Sequence, residues 1–124
     1  MIEIGDLDRS APYLARLQGS DDGQSVTLIN TFVVLEGEID KALDTWRRDS
    51  TVMRTKPGFI STQLHRSIGD SRVLTNVAVR ESLTALRNAF SSEEFQSLLP
   101  LYPDGSIAYP VVVRKVAVPG VCVA

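Results

Sequence analysis

The chain has 124 residues, 44% of them hydrophobic, enough to bury one core and too few for two ordinary domains. A formal charge of −2 with arginines scattered along the sequence leaves no basic footprint for nucleic acid. A single cysteine, Cys122, excludes an internal disulfide, and no apolar run approaches the roughly 20 residues of a membrane span. With an amino terminus that lacks the basic and apolar regions of a signal peptide, these features predict a soluble protein of a reducing compartment, the cytoplasm.

Residues 1–25 mix acids, Gly and Ser around one short apolar patch at Tyr13, Leu14 and Leu17. The expectation for such a terminus is a loosely ordered arm, with a helical turn or packing against a neighbour as the alternative. The domain proper is expected over 26–118, with a short tail over 119–124. It opens with Val26 to Val34, a β-branched and aromatic run that predicts a strand buried on both sides. Val26, Leu28, Asn30, Phe32 and Val34 share a face there. Asn30 is therefore a polar intruder among apolar neighbours and needs a hydrogen-bond partner, from backbone, water or a ligand.

After Gly37 the period changes. Ile39, Ala42, Leu43, Trp46, Ser50 and Met53 fall at helical spacing, opposite Glu38, Lys41, Arg47 and Arg48, which predicts an amphipathic helix. Lys56-Pro57-Gly58 ends it, since proline disfavours helix in the residue before it and glycine permits the reversal. Trp46 lies on the apolar stripe, where a large aromatic contributes chiefly by burial.

Two further strand-like runs, Phe59 to Arg66 and Val73 to Arg80, flank Gly69-Asp70 and read as a hairpin. In the second, Leu74, Asn76, Ala78 and Arg80 share one face, while Val73, Thr75, Val77 and Val79 share the other. In the first, Phe59, Ser61, Gln63 and His65 are expected on one face and Ile60, Thr62, Leu64 and Arg66 on the other. His65 is the only histidine, so a single subunit offers no multi-histidine metal site; it is either a hydrogen-bonded structural residue or a site base. Arg80, at the strand end, either faces a pocket or turns to solvent or to Glu81.

Leu83, Leu86, Ala89 and Phe90 predict a second helix, and Ser91 with Glu94 has the spacing of a capping box opening a third, whose apolar face is Phe95, Leu98 and Leu99. Pro100 and Pro103 bracket Tyr102 in a loop. Ile107 to Val118 reads as the last strand, with Pro110 marking an edge or a bulge. The order β, α, β, β, α-α, β is the split β-α-β arrangement of an α+β, ferredoxin-like fold with a four-stranded antiparallel sheet. Its helices cover one sheet face, and the uncovered face calls for a partner, most simply a second copy across a two-fold axis.

Several segments together, Ile-Asn-Thr-Phe-Val-Val at 29–34, Pro57-Gly58-Phe59-Ile60-Ser61, Leu64-His65-Arg66, Asn76-Val77-Ala78 before Glu81-Ser82, and Ala89-Phe90-Ser91-Ser92-Glu93-Glu94-Phe95, resemble the antibiotic biosynthesis monooxygenase family of dimeric α+β barrels. The resemblance covers about residues 26–115. It implies a homodimer that oxidises an aromatic polyketide-type phenol or anthrone to a quinone with molecular oxygen and no metal, flavin or haem. Such chemistry needs a pocket that favours the electron-rich deprotonated substrate, holds oxygen beside it and excludes water. Asn76 matches the family's third-strand asparagine, whereas Arg80 stands where the family usually has tryptophan. A buried arginine there offers a permanent cation with five donors, suited to a phenolate, enolate or carboxylate. The haem-degrading branch adds a histidine on the following helix, and that helix has none here. The candidate site is thus Asn76, Arg80 and His65 for chemistry, with Asn30, Trp46, Gln63 and Tyr102 for substrate contact and no metal ligands. A cyclase or isomerase on the same barrel, or a ligand-binding dimer without catalysis, are the competing readings.

Overall fold

The computed structural model describes residues 1–124. In chain order the elements are β1 (Glu3–Ile4), α1 (Tyr13–Leu17), β2 (Val26–Val33), α2 (Ile39–Arg54), β3 (Phe59–Arg66), β4 (Val73–Arg80), α3 (Leu83–Phe90), α4 (Glu93–Gln96), a 3-10 turn at Leu99–Leu101, and β5 (Ile107–Val113). The sheet order is β1-β5-β2-β4-β3. β2 runs antiparallel to β4 and β5, β3 antiparallel to β4, and β1 parallel to β5. From β2 onward this is the expected ferredoxin-like order. The added β1 makes the sheet five-stranded and mixed instead of four-stranded and antiparallel.

The expected loose arm is a packed part of the domain. The Glu3 and Gly5 amides donate to the Ser106 and Ala108 carbonyls at 2.9 and 2.7 Å, and Ile2, Tyr13 and Leu17 are buried. Tyr13 stands edge-on to Phe90, with ring centroids 5.5 Å apart, and Arg87 donates to the Leu17 carbonyl at 3.0 Å. A few well-spaced apolar side chains suffice because Tyr13, Leu17, Val26 and Leu86 close into a small core of their own. The larger core gathers Phe32, Val34, Ala42, Leu74, Tyr102 and Ala108 between the sheet and α2.

Three local expectations shift. β5 stops at Val113, short of Val118, which forms an isolated bridge with Cys122 in an exposed terminal turn. Ser92, not Ser91, caps α4 by accepting from the Phe95 amide at 3.3 Å, because Ser91 is used up ending α3. Glu94 pairs with Lys56 and does not reach back along its own helix.

The third shift decides which residues meet. The β3–β4 register slips between Phe59, opposite Arg80, and Ser61, opposite Val79. Ile60 is the extra residue of a β-bulge, half exposed at 50%. Such an insertion exchanges the faces of everything beyond it. Phe59 therefore shares the helix-covered face with Thr62 and Leu64, while Ser61, Gln63 and His65 share the other. Gly58 precedes the bulge at φ +86°, and a Cβ there would lie 2.4 Å from that of Ala85, so the crossing of this loop over α3 requires glycine. At the far end of the hairpin Gly69 and Asp70 both adopt positive φ, the turn that the Gly-Asp pair predicts.

Pro110 is accommodated without loss. The even-numbered positions 106 and 108 turn their carbonyls toward β1, and 110 follows them beyond the last residue of β1, so its missing N–H takes nothing from the β2 ladder. β2 is central in the sheet, yet its second face, with Ile29 at 36% exposure, has no cover within one chain.

Candidate functional site

Between the helix-covered face of the sheet and α2, α3 and α4 lies a cavity of about 100 Å³, walled mainly by apolar side chains, among them Phe32, Trp46, Met53, Phe59, Phe90 and Leu99. Three strands deliver its polar groups. Asn30 on β2 and Asn76 on β4 are direct cross-strand partners, and Thr62 on β3 donates to the Asn76 side-chain oxygen at 2.7 Å. The Asn30 side-chain oxygen is buried without a hydrogen-bond partner. A buried, unpaired amide oxygen is costly, and here it borders the one space where a ligand donor could reach it.

Arg80 enters from the end of β4, four residues from Asn76 and hence roughly 13 Å along the strand at about 3.3 Å per residue. It is only 2% exposed and takes part in no ion pair with a carboxylate. One guanidinium nitrogen, Nη2, donates to the Met53 carbonyl at 2.9 Å, in the last turn of α2, where the helix dipole favours a cation. The guanidinium also lies over the Phe59 ring, 5.3 Å from its centroid. The other nitrogen, Nη1, is buried with no partner. Burial lowers the arginine's pKa from its ordinary value, yet an arginine remains charged in proteins. The result is an unneutralised cation with a free donor on the cavity wall.

Opposite the sheet, α2 presents Trp46, Asp49, Ser50 and Met53 to the cavity. Asp49 is buried, and its Oδ2 accepts a short hydrogen bond from the Tyr102 hydroxyl while Oδ1 accepts from Ser50 Oγ at 3.2 Å. Burial raises the Asp49 carboxyl to about 7, against the opposing pull of the Tyr102 and Ser50 hydrogen bonds. Burial first, and the neighbouring carboxylate second, raise the phenol of Tyr102; burial raises that of Tyr13, also in the wall.

Of the residues singled out in the sequence, Asn30, Asn76, Arg80, Trp46 and Tyr102 thus line one cavity. Gln63 and His65 do not. The bulge at Ile60 puts both on the uncovered face, where they are exposed. His65 Nδ1 lies 3.3 Å from the Thr75 carbonyl and Gln63 bonds to the Leu64 carbonyl. Sequence reasoning missed Asp49, Thr62 and Phe59. Asp49 had a readable signal, since it lies three residues after Trp46 and four before Met53, inside the apolar stripe of α2. No group of three or more His, Cys, Asp or Glu side chains comes together as a metal site.

The chain is thus a ferredoxin-like α+β domain with a mostly apolar cavity between its helices and its sheet. The family model for antibiotic biosynthesis monooxygenase matches residues 25–99, and the chain belongs to that family. No match was found among curated proteins. Among solved structures the chain is similar to SnoaB, a cofactor-independent oxygenase from Streptomyces nogalater, with 21% identity and a TM-score of 0.70 over 78% of this chain and 98% of that one. It is likewise similar to a candidate monooxygenase from Shewanella loihica PV-4, with 30% identity and a TM-score of 0.63 over 81% of this chain and all of the other, 100%. A conserved protein from Methanosarcina mazei Go1 shares the fold at 14% identity, with a TM-score of 0.66 over 75% and 94% of the two chains. No helix is long and apolar enough to cross a membrane.

Proposed function

We propose that the cavity is the active site of a cofactor-independent monooxygenase that binds an aromatic polyketide-type phenol or anthrone as its anion and oxidises it to a quinone with molecular oxygen. The observation that carries this reading is Arg80, a buried cation with an unused donor and no carboxylate partner. Burying such a charge without a counter-ion is unfavourable, and an anionic substrate oxygen on Nη1 would complete it with a charge-assisted hydrogen bond. Asn76, held by Thr62, and Asn30 supply neutral contacts farther along the same face. The description of the Streptomyces relative as a cofactor-independent oxygenase supports the reaction class.

The chemistry balances without an external reductant. Ionisation of an anthrone gives an electron-rich anion that reduces oxygen and combines with it to a peroxide. Loss of water from the peroxide converts the ring CH2 to a carbonyl, with the second oxygen atom leaving as that water. The wall contributes a low-dielectric, dry environment and a fixed cation that favours the anion.

The cavity of about 100 Å³ is smaller than the roughly 150 Å³ apolar cavity that holds benzene. A tricyclic ligand therefore enters only as wall side chains move, and Met53, unbranched and flexible, is the lining residue of α2 best suited to yield. The uncovered sheet face, with Ile29, Val77, Val79, Val111 and Val113 partly exposed, is read as the surface of a homodimer; sedimentation at micromolar concentration should give twice the monomer mass, and a monomer would refute it. Oxygen uptake with a tricyclic anthrone, with a product that has gained one oxygen and lost two hydrogens, tests the reaction. Anthrone that binds without oxygen uptake would refute the oxygenase reading in favour of ring closure on another substrate or of binding alone.

A further inference from the structure

We propose that Asp49 is the proton acceptor of this cavity: its carboxylate takes the acidic proton of the bound phenol or anthrone and returns it to the peroxide formed with oxygen. The assignment rests on the oxygenase reading and adds to it the group that generates the reactive anion. Geometry supports it first. Asp49 sits on the cavity-facing stripe of α2, one turn from both Trp46 and Met53, at 5% exposure. A buried carboxylate is ordinarily paired with a cation, yet Asp49 has only neutral hydroxyl partners, Tyr102 and Ser50. These orient it without holding it ionised as a salt bridge would.

The charged and titratable groups around it fit the role. Tyr13 of α1, Arg80 of β4 and Tyr102 are the others in the cavity wall. Glu93 and Glu94 on α4, which packs against α2, and His65 and Arg66 on β3 are outside it, with Glu94 turned to Lys56. Both tyrosines are held protonated by burial, leaving Asp49 as the one group in the wall able to accept a proton near neutral pH. Arg80 then receives the negative charge as Asp49 loses its own. The proton balance closes: the carboxylate is protonated when the substrate ionises and is regenerated when the peroxide anion takes that proton back, before water is lost.

The test separates proton transfer from oxygen chemistry by using 1,8-dihydroxyanthrone as the probe without oxygen, reading its ionisation by absorbance. Wild-type protein should bind the probe as its anion. Asp49→Asn, whose amide oxygen still accepts from Tyr102, should still bind it but leave it neutral, with affinity lower by about 10-fold or more because the charge-assisted bond to Arg80 forms only with the anion. Oxygen uptake in air should fall by about 100-fold or more, in the usual range for a lost general base, with the acid limb of the pH–rate curve gone. Tyr102→Phe, which removes a hydrogen bond that favours the carboxylate, should move that limb to higher pH, and it reads the same residue should Asp49→Asn not fold. An Asp49→Asn protein that ionises the probe and consumes oxygen as wild type does would overturn the assignment while leaving the oxygenase reading intact, as would an unmoved acid limb in Tyr102→Phe. A wild-type protein that neither binds nor oxidises the probe would overturn the oxygenase reading, and this assignment with it.

Discussion

On the helix-covered face of the sheet, Asn30, Thr62, Asn76 and Arg80 stand in the wall of a mainly apolar cavity, whereas on the opposite face Gln63 and His65 lie exposed. Polar side chains of adjacent positions thus have different consequences. On the covered side an amide oxygen and a guanidinium nitrogen go without protein partners, a condition that a ligand or water in the cavity relieves. On the open side Thr31 and Thr75 bond across strands at 2.9 Å, and what remains unpaired faces water in the single chain. Unmet hydrogen-bonding capacity is concentrated on the covered face.

The largest effect should come from opening the covered face. Leu17 is 1% exposed in the core that closes one side of the cavity region, so Leu17→Ala should cost about 2–5 kcal/mol, and deletion of residues 1–20 more, measured by denaturant unfolding. A deletion variant with an unchanged melting temperature would return the amino terminus to the status of a loose arm.

Asp49 gives the next effect, in the pH dependence of stability. Its folded pKa of about 7 exceeds the ordinary 3.8, so between these values the folded state binds more protons than the unfolded state. Stability contributed by the protonated carboxyl is then present below pH ~4 and is lost as pH rises to about 7, by up to about 4 kcal/mol at 1.36 kcal/mol per unit. Asp49→Asn should flatten that slope and be the more stable protein at neutral pH; parallel curves for the two would show that Asp49 is not desolvated.

Much of this was legible in the sequence. β2, α2 and the β3–β4 hairpin have strong periodicity over eight or more residues, and the placement of Asn30, Asn76 and Trp46 follows from that alone. Arg80 was ambiguous because a strand end can face either core or water, and the deciding contact, the Met53 carbonyl, comes from another element. β1, with two residues, is too short to carry a period. The bulge at Ile60 has no marker within the strand, and it reverses the faces of Gln63 and His65. Asp49 was readable as a carboxylate on an apolar stripe, but its partner Tyr102 lies 53 residues away.

A smaller effect is expected at Arg80. Arg80→Met keeps the volume and removes the charge; affinity for an anionic phenol should fall by about 10- to 100-fold, corresponding to the roughly 1.5–3 kcal/mol of a hydrogen bond to a charged group. The melting temperature should hold or rise, since a buried charge without a counter-ion is replaced by an apolar side chain. A marked loss of stability would mean that the bond to Met53 is the main role of Arg80.

The smallest effect separates the two faces outright. Gln63→Ala with His65→Ala should leave oxygen uptake within about twofold of wild type, as exposed substitutions away from a site do. The most direct measurement is therefore steady-state oxygen uptake with the tricyclic anthrone by wild type, Arg80→Met and the Gln63→Ala/His65→Ala double variant, side by side. A site in the cavity predicts loss in Arg80→Met alone; loss in a double variant that sediments as wild type does, with full activity in Arg80→Met, would move the active site to the open face and contradict it.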